Sequence, residues 1–416
     1  MSQPAAASTS ATSPADAQAE ASGRWRALGV LALALVLTMS PWFSATAVLP
    51  QLRALYGFGD SVGAWLTIAV QLGFVLGAVG SAATGLADRL PLRVLVIGSA
   101  LAVAACNALL LMAHNPTQWL LLRMATGVFL AGVYPPAMKL VATWFVRGRG
   151  LALGVLIGAI TIGSAAPHLL GALGGAQRQM VILATSAATL IGALLIGFGV
   201  REGPYPFPRA PFRIADAAAT LRNRGVLLAM GGYFGHMWEL YAMWAWFATY
   251  ARAALARQGS GLNAAGLTFA VIASGALGCV VAGLAADRFG RARTAALAMV
   301  VSAACCVAMP WVFDGPVWLF VAVGVVWGIS VIADSAQFSA LVSEHADPRF
   351  VGTALTLQVG LGYVLTAATL WGLPLLARGL GSWQWTLLVL APGPLLGIWA
   401  MTQLGARRQA GQAPRR

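Results

Sequence analysis

Gly85-Leu86-Ala87-Asp88-Arg89-Leu90-Pro91-Leu92-Arg93 is a short charged stretch set between two long apolar runs. A second version stands at Gly283-Leu284-Ala285-Ala286-Asp287-Arg288-Phe289-Gly290-Arg291-Ala292-Arg293. Asp88 and Asp287 are 199 residues apart, close to half of the 416-residue chain. A charged loop that recurs at half length, each time after the second apolar run of its half, marks a duplicated multi-helix unit. Two further matches keep nearly the same offset. Arg147-Gly148-Arg149-Gly150 corresponds to Arg349-Phe350-Val351-Gly352, and Gly127 corresponds to Gly328.

Composition names the solvent. The chain is 59% hydrophobic and only 9% charged, whereas a soluble domain carries about 25% charged residues. A surface this poor in charge must face lipid. A spanning helix needs about 20 apolar residues. Runs of that kind lie near 28–50, 62–85, 93–113, 117–138, 150–173, 180–199, 226–250, 265–286, 294–313, 316–341, 350–376 and 384–404. The formal charge of +14 does not point to nucleic acid, because the basic residues sort by membrane side. With the N-terminus placed inside, only Arg53, Arg178, Arg252, Arg257 and Arg378 fall outside. Arg123 falls within a span, and every other Lys and Arg lies on the inner side. Both termini are therefore expected in the cytoplasm. Cys106, Cys279, Cys305 and Cys306 all sit in apolar runs and read as small hydrophobes, with no disulfide and no metal site.

The charged stretches resemble the loop between helices 2 and 3 of the major facilitator superfamily of secondary transporters. Asp287, Arg288, Gly290 and Arg291 fit its pattern; the first copy departs, with Pro91 and Leu92 where glycine and a basic residue are usual. The resemblance covers about residues 25–405. It implies an all-α integral membrane fold of twelve transmembrane helices in two six-helix, pseudo-symmetric halves. The expected organisation is a disordered cytoplasmic tail over 1–24, a half over 25–200, a cytoplasmic linker over 201–225, a second half over 226–405 and a basic tail over 406–416. The linker holds Pro204, Pro206 and Pro208 with five arginines. Asp88 and Asp287 lie where a carboxylate can face the positive N-terminus of a helix from the other half. In the family such contacts latch the halves on the inside, so Asp88, Arg89, Asp287, Arg288 and Arg291 are the expected latch. A charged turn that only sets topology is the plainer alternative.

Ionisable groups inside a span are functional candidates by default. Here they are Arg123, Glu239 and Asp334, with His168 and His236. None has a partner of its own type in the other half, so the duplicated scaffold does not require them. Arg123-Met124-Ala125-Thr126-Gly127 resembles the R-x-x-x-G pattern in helix 4 of proton-coupled members, where the arginine is implicated in coupling. The alternative is an arginine that bonds backbone carbonyls of a bent neighbour. Glu239 lies thirteen residues past Val226, about 20 Å into a core of roughly 30 Å. His236 precedes it by three residues and shares nearly one face. Together they are expected to carry protons and orient the solute. Trp42, Tyr241 and Gln358 join them as candidate cavity residues. Trp244 and Trp246 are two apart and cannot share one face. His236 and Glu239 could form half a metal site, but no second pair exists.

Helix 5 carries Gly154-x-x-x-Gly158 followed by Ala159, where drug–proton antiporters carry proline, and the nitrate-carrier signature with its asparagine is absent. H-E-x-x-H, G-x-S-x-G and phosphate-loop motifs are lacking, so neither an enzyme nor an ATP-driven pump is expected, and no cofactor. The reading is a monomeric secondary transporter in the bacterial inner membrane. It moves a small organic solute by alternating access with protons. The alternatives are a sensor that kept the fold without net transport, or a drug or metabolite exporter.

Overall fold

The computed structural model describes residues 14–145, 148–173, 177–205, 217–347 and 349–412. The described residues hold helices and turns and no strand. Twelve long helical spans follow one another: α1 Gly23–Ala47, α2 Ser61–Thr84, α3 Leu92–Met112, α4 Pro116–Ala142, α5 Arg149–Leu173, α6 Arg178–Gly199, α7 Arg224–Arg257, α8 Ala264–Phe289, α9 Arg291–Val312, α10 Val317–His345, α11 Val351–Leu380 and α12 Thr386–Ala406. Eleven of them are long and apolar enough to cross a membrane; α7 is the exception. It is the longest, at 34 residues, but His236, Glu239 and its tyrosines and tryptophans interrupt its apolar run. The first helix starts at Pro14, within the segment expected to be a tail. Residues 1–13, 206–216 and 413–416 lie outside the described residues.

Local chemistry sets the ends. Asn115 accepts a hydrogen bond from the Gln118 backbone N–H at 3.0 Å and precedes Pro116 at the start of α4. Asn223 accepts from Gly225 and Val226 at α7, and Asn263 from Ala265 and Gly266 at α8. Each cap satisfies amides that the first helical turn leaves open.

The duplication is visible in the packing. A side chain at Gly127 in α4 would run into the Val70 carbonyl of α2; one at Gly328 in α10 would run into the Val271 carbonyl of α8. Gly77 presses on Val128 and Gly278 on Ile329 in the same way. All four pairs keep one offset between the halves, 201 residues. In lipid, where apolar contact alone does not drive helices together, small residues let backbones approach this closely. The Asp88–Asp287 offset is two shorter because the copies end differently. In the first, Gly85 takes φ +61° and stops α2, leaving a separate turn over Leu86–Arg89. In the second, α8 runs unbroken to Phe289.

Three spans break. α1 leaves regular helix at Met39 and passes through a 3₁₀ turn, Ser40–Phe43, that contains Pro41. α4 breaks between Leu130 and Tyr134, and α10 at Asp334. The last two breaks are again 201 residues apart, counted from Val133 to Asp334. Pro167 and Pro374, by contrast, sit inside continuous helices.

The halves meet along three seams. α5 lies on α8, with Gly154 against the Cys279 carbonyl and Gly158 against Ala276. α2 meets α11, where Thr366 Oγ1 donates to Gln71 Oε1 at 2.5 Å. The broken end of α1 meets α7 through aromatic rings.

Candidate functional site

The seam between the halves is a wall of aromatic rings. Trp42 packs against Phe74, Tyr241 and Tyr363 with centroids 5.5, 5.8 and 5.9 Å away. Phe43 contacts Tyr241 and Trp244. Phe74 contacts Tyr134 and Tyr363. Tyr241 and Tyr363 share a hydrogen bond of 2.7 Å. Thus Trp42 and Tyr241, from opposite halves, come together. Trp246 points elsewhere: its indole donates to the Leu370 carbonyl and its ring packs on Trp383. Gln358 is fully buried, and neither end of its amide has a hydrogen-bond partner among the described residues.

The charges lie behind this wall, one set in each half. Arg123 is fully buried in α4. Its Nε donates to the Leu66 carbonyl at 3.2 Å and its Nη1 to the Pro41 carbonyl at 2.7 Å. Its Nη2 donates to the Trp42 carbonyl, and Nη1 also reaches Ser44 Oγ at 3.5 Å. The Pro41 carbonyl also accepts from the Ser44 backbone N–H and from Ser44 Oγ at 3.0 Å, and a planar guanidinium with five donors can hold several carbonyls at once. Arg123 therefore bonds the backbone of a bent neighbour, the alternative weighed above. Its hydrogen bonds do not include Glu239. Ser44 continues the network, donating to Asn107 Oδ1 at 2.8 Å, and Asn107 Nδ2 donates to Thr185 Oγ1 and Ser186 Oγ at 2.9 Å each. Sequence reading missed Asn107 and Ser44. A lone asparagine in the apolar run of α3 was the available signal.

The second half holds the acids. Glu239 Oε1 accepts from the Trp327 indole at 2.6 Å and from Ser302 Oγ at 2.8 Å. These partners stand on α10 and α9, so the carboxylate turns into its own half. Asp334 sits at the break of α10, and its Oδ1 lies 2.7 Å from His236 Nδ1 on α7. That close contact falls short of hydrogen-bond alignment. All three side chains are about 2% exposed. His236 rests against Phe338 and Tyr233. His168, in α5, is buried with Nε2 unpartnered among the described residues.

On the expected latch, Asp287 lies at the first turn of α5. A side chain on Gly150 would meet its carboxylate oxygens at 2.9 and 3.2 Å. Arg291 Nε donates to Glu344 Oε1 at 2.8 Å and Nη1 to Gln337 Oε1 at 3.3 Å, tying α9 to α10 within one half. Arg288 lies over the Phe289 ring at 5.4 Å, and Arg89 is exposed. The Asp88 side chain lies outside the described residues. In the adjoining loop, Asp347 accepts from Arg349 Nη2 at 2.7 Å, from Nε at 3.0 Å and from its backbone N–H at 2.9 Å. These bonds hold the Asp347 carboxyl down at about 2. A cavity of about 340 Å³ opens beside this loop, lined by Thr220, Asn223, Val226, Ala346 and Phe350 among others. None of the candidate site residues lines it.

Comparison with known proteins names the family. Residues 30–369 match the Major Facilitator Superfamily. The chain belongs to that superfamily. It is a family of transporters, not enzymes. Relatives include the multidrug resistance protein MdtG of Salmonella arizonae and of Salmonella typhi, each 29% identical over 174 residues. That match covers 40% of this chain and 42% of each relative's own length. Among solved structures, a bacterial homologue of the human lysosomal transporter Spinster superposes with a TM-score of 0.67 at 14% identity. It covers 92% of this chain and 97% of that one. At such identity the likeness is one of fold.

Proposed function

We propose that this superfamily member is a proton-coupled carrier that moves a small organic solute between its two halves by alternating access. The observation that carries the reading is the placement of Glu239, His236 and Asp334 on α7 and α10, directly behind the aromatic seam. A buried carboxyl group survives in lipid surroundings only if it is paired or binds a proton. Tyr241 stands two residues beyond Glu239 on the same helix, so a change in the hydrogen bonding of Glu239 moves a ring that contacts the other half. Trp42, Tyr241 and Gln358 line the solute site. Arg123 acts through Trp42, whose carbonyl it holds. Asp287 latches the inner side against the start of α5. The working arrangement is a monomer in the bacterial inner membrane with both termini cytoplasmic, from the sorting of basic residues.

A second reading is export of drugs, favoured by the relatives named as multidrug resistance proteins. Both readings meet one experiment. Proteoliposomes are loaded with a pH-sensitive dye and exposed to a panel of organic acids, amines and neutral aromatics. A solute that shifts internal pH with wild-type protein and not with Glu239→Gln supports coupled carriage. The sign of the shift separates uptake with protons from exchange against them. If no solute shifts the pH, or if Glu239→Gln behaves as wild type, the coupling reading fails.

A further inference from the structure

The aromatic seam leaves hydrogen-bond donors over. The indole N–H groups of Trp42 and Trp244 and the amide nitrogens of Gln71 and Gln358 are buried to 2% exposure or less, and none has a partner among the described residues. These residues belong to one wall. Trp42 and Trp244 both pack on Tyr241, and Gln71 is bonded through its oxygen to Thr366, three residues from Tyr363 on α11. Gln358 stands on the stripe of α11 that also holds Gly362 and Thr366, four residues apart. An amide can be turned end for end, but an indole nitrogen carries a hydrogen and no free lone pair, so it can only donate. A buried donor left unmatched costs about 1–3 kcal/mol. A wall that carries several of them is built for something that accepts.

We infer that the solute is a planar aromatic body with a hydrogen-bond-accepting head, best an aryl carboxylate. The inference rests on reading the seam as the solute site. Two carboxylate oxygens offer about four acceptor positions, enough for the two indoles that pack on Tyr241. The rings supply the apolar faces for the body. A cation would find ring faces to sit on, but the acids within reach of the seam are already turned away: Glu239 toward Ser302 and Trp327, Asp334 toward His236.

The test uses three probes with one ring system: naphthylacetate, naphthylethanol and naphthylethylammonium. Binding to the full-length protein in detergent is measured by titration calorimetry. Naphthylacetate should bind tightest and the ammonium weakest. Trp42→Phe and Trp244→Phe keep a ring and remove the donor. Each should weaken naphthylacetate about tenfold or more, the usual loss for a hydrogen bond to a charged group, and weaken the uncharged naphthylethanol less. The inference is overturned if the ammonium binds tightest, if both phenylalanine variants bind naphthylacetate like wild type, or if none of the three probes binds. The calorimetry does not depend on transport. Carriage of an amine in proteoliposomes would overturn the solute class and leave the transporter standing. Tight naphthylacetate binding with no carriage of any solute would do the reverse.

Discussion

Arg123→Lys keeps the positive charge and changes only the shape of the donor. The wild-type guanidinium reaches the Leu66 carbonyl on α2 with Nε, and the Pro41 and Trp42 carbonyls on α1 with its two terminal nitrogens. Lysine offers one nitrogen on a flexible stem. It can stay with α1 or turn to α2, and so gives up at least the Leu66 bond. A hydrogen bond to a charged group is worth about 1.5–3 kcal/mol. At the scale of a six-helix half, that is a drop of roughly 3–10 °C in unfolding temperature. The assay is thermal unfolding of the purified protein in detergent, followed by tryptophan fluorescence. Arg178→Lys is the control: its half-buried side chain donates to Tyr56 Oη at 2.8 Å and lies over the same ring at 5.6 Å, contacts with one residue that lysine can keep, so it should fall within about 0.5 kcal/mol of wild type. If Arg123→Lys unfolds with the control, Arg123 is not what holds the bent end of α1, and the route from Arg123 to Trp42 is lost with it.

Asp287→Asn removes the charge facing the first turn of α5 and keeps the shape. An exposed carboxylate at a helix N-terminus contributes about 0.3–1 kcal/mol, so labelling of a cysteine placed at the inner mouth should rise about two- to fivefold; unchanged labelling returns Asp287 to a topological charge. Gly328→Ala drives a methyl group into the Val271 carbonyl, and the overpacking should cost about 1–3 kcal/mol or more. Gly372→Ala meets nothing within 4 Å and should gain about 0.4–1 kcal/mol; equal unfolding temperatures for the two variants would refute the close approach of α8 and α10. Asp347, held down at about 2 by Arg349, contributes stability that is full above its ordinary value near 3.9 and is lost as pH falls through about 2. Infrared titration of the carboxylate band should show a group with its midpoint near 2 that moves up toward 4 in Arg349→Ala; no low group in the wild type removes the pair.

The architecture was legible because it is written in features that do not depend on tertiary contact. Charge scarcity names the solvent, run length counts the spans, and the repeated Asp-Arg loop divides the chain. Even Gly127 and Gly328 could be paired by offset, and the structure gives the pairing its physical meaning as two backbones pressed together. What a sequence does not show is where a side chain turns. Glu239 and Tyr241 are two residues apart, and helical spacing separates their faces without saying which one meets the other half. The structure turns Tyr241 to the seam and Glu239 into its own bundle. The break at Asp334 was hidden for another reason: no proline or glycine stands beside it, in contrast to Pro41 in α1 and Pro135 in α4. Backbone carbonyls were the alternative to a coupling role for Arg123, and only the fold could say whose carbonyls it meets.

The charges stand behind the seam and the neutral groups stand in it, an arrangement suited to a carrier. Halves that must part and rejoin cannot be joined by buried ion pairs, because breaking such a pair strands two charges at a cost of several kcal/mol. Rings and amides part at far less expense, since their polar atoms take water as they open. Among the hydrogen bonds of the seam, Gln71 with Thr366 is of this exchangeable kind. The ionised and ionisable groups are bound within their own halves: Arg123 to α1 and α2, Glu239 to α9 and α10, and His236 beside Asp334. In the proposed proton-coupled cycle, a proton taken up behind the wall is felt in front of it only through the backbone that both share. On one side that backbone is the single residue, Leu240, between Glu239 and Tyr241. On the other it is the Trp42 carbonyl that Arg123 holds. Coupling by this route biases which packing of the rings is preferred, and it does so without carrying any charge across the seam.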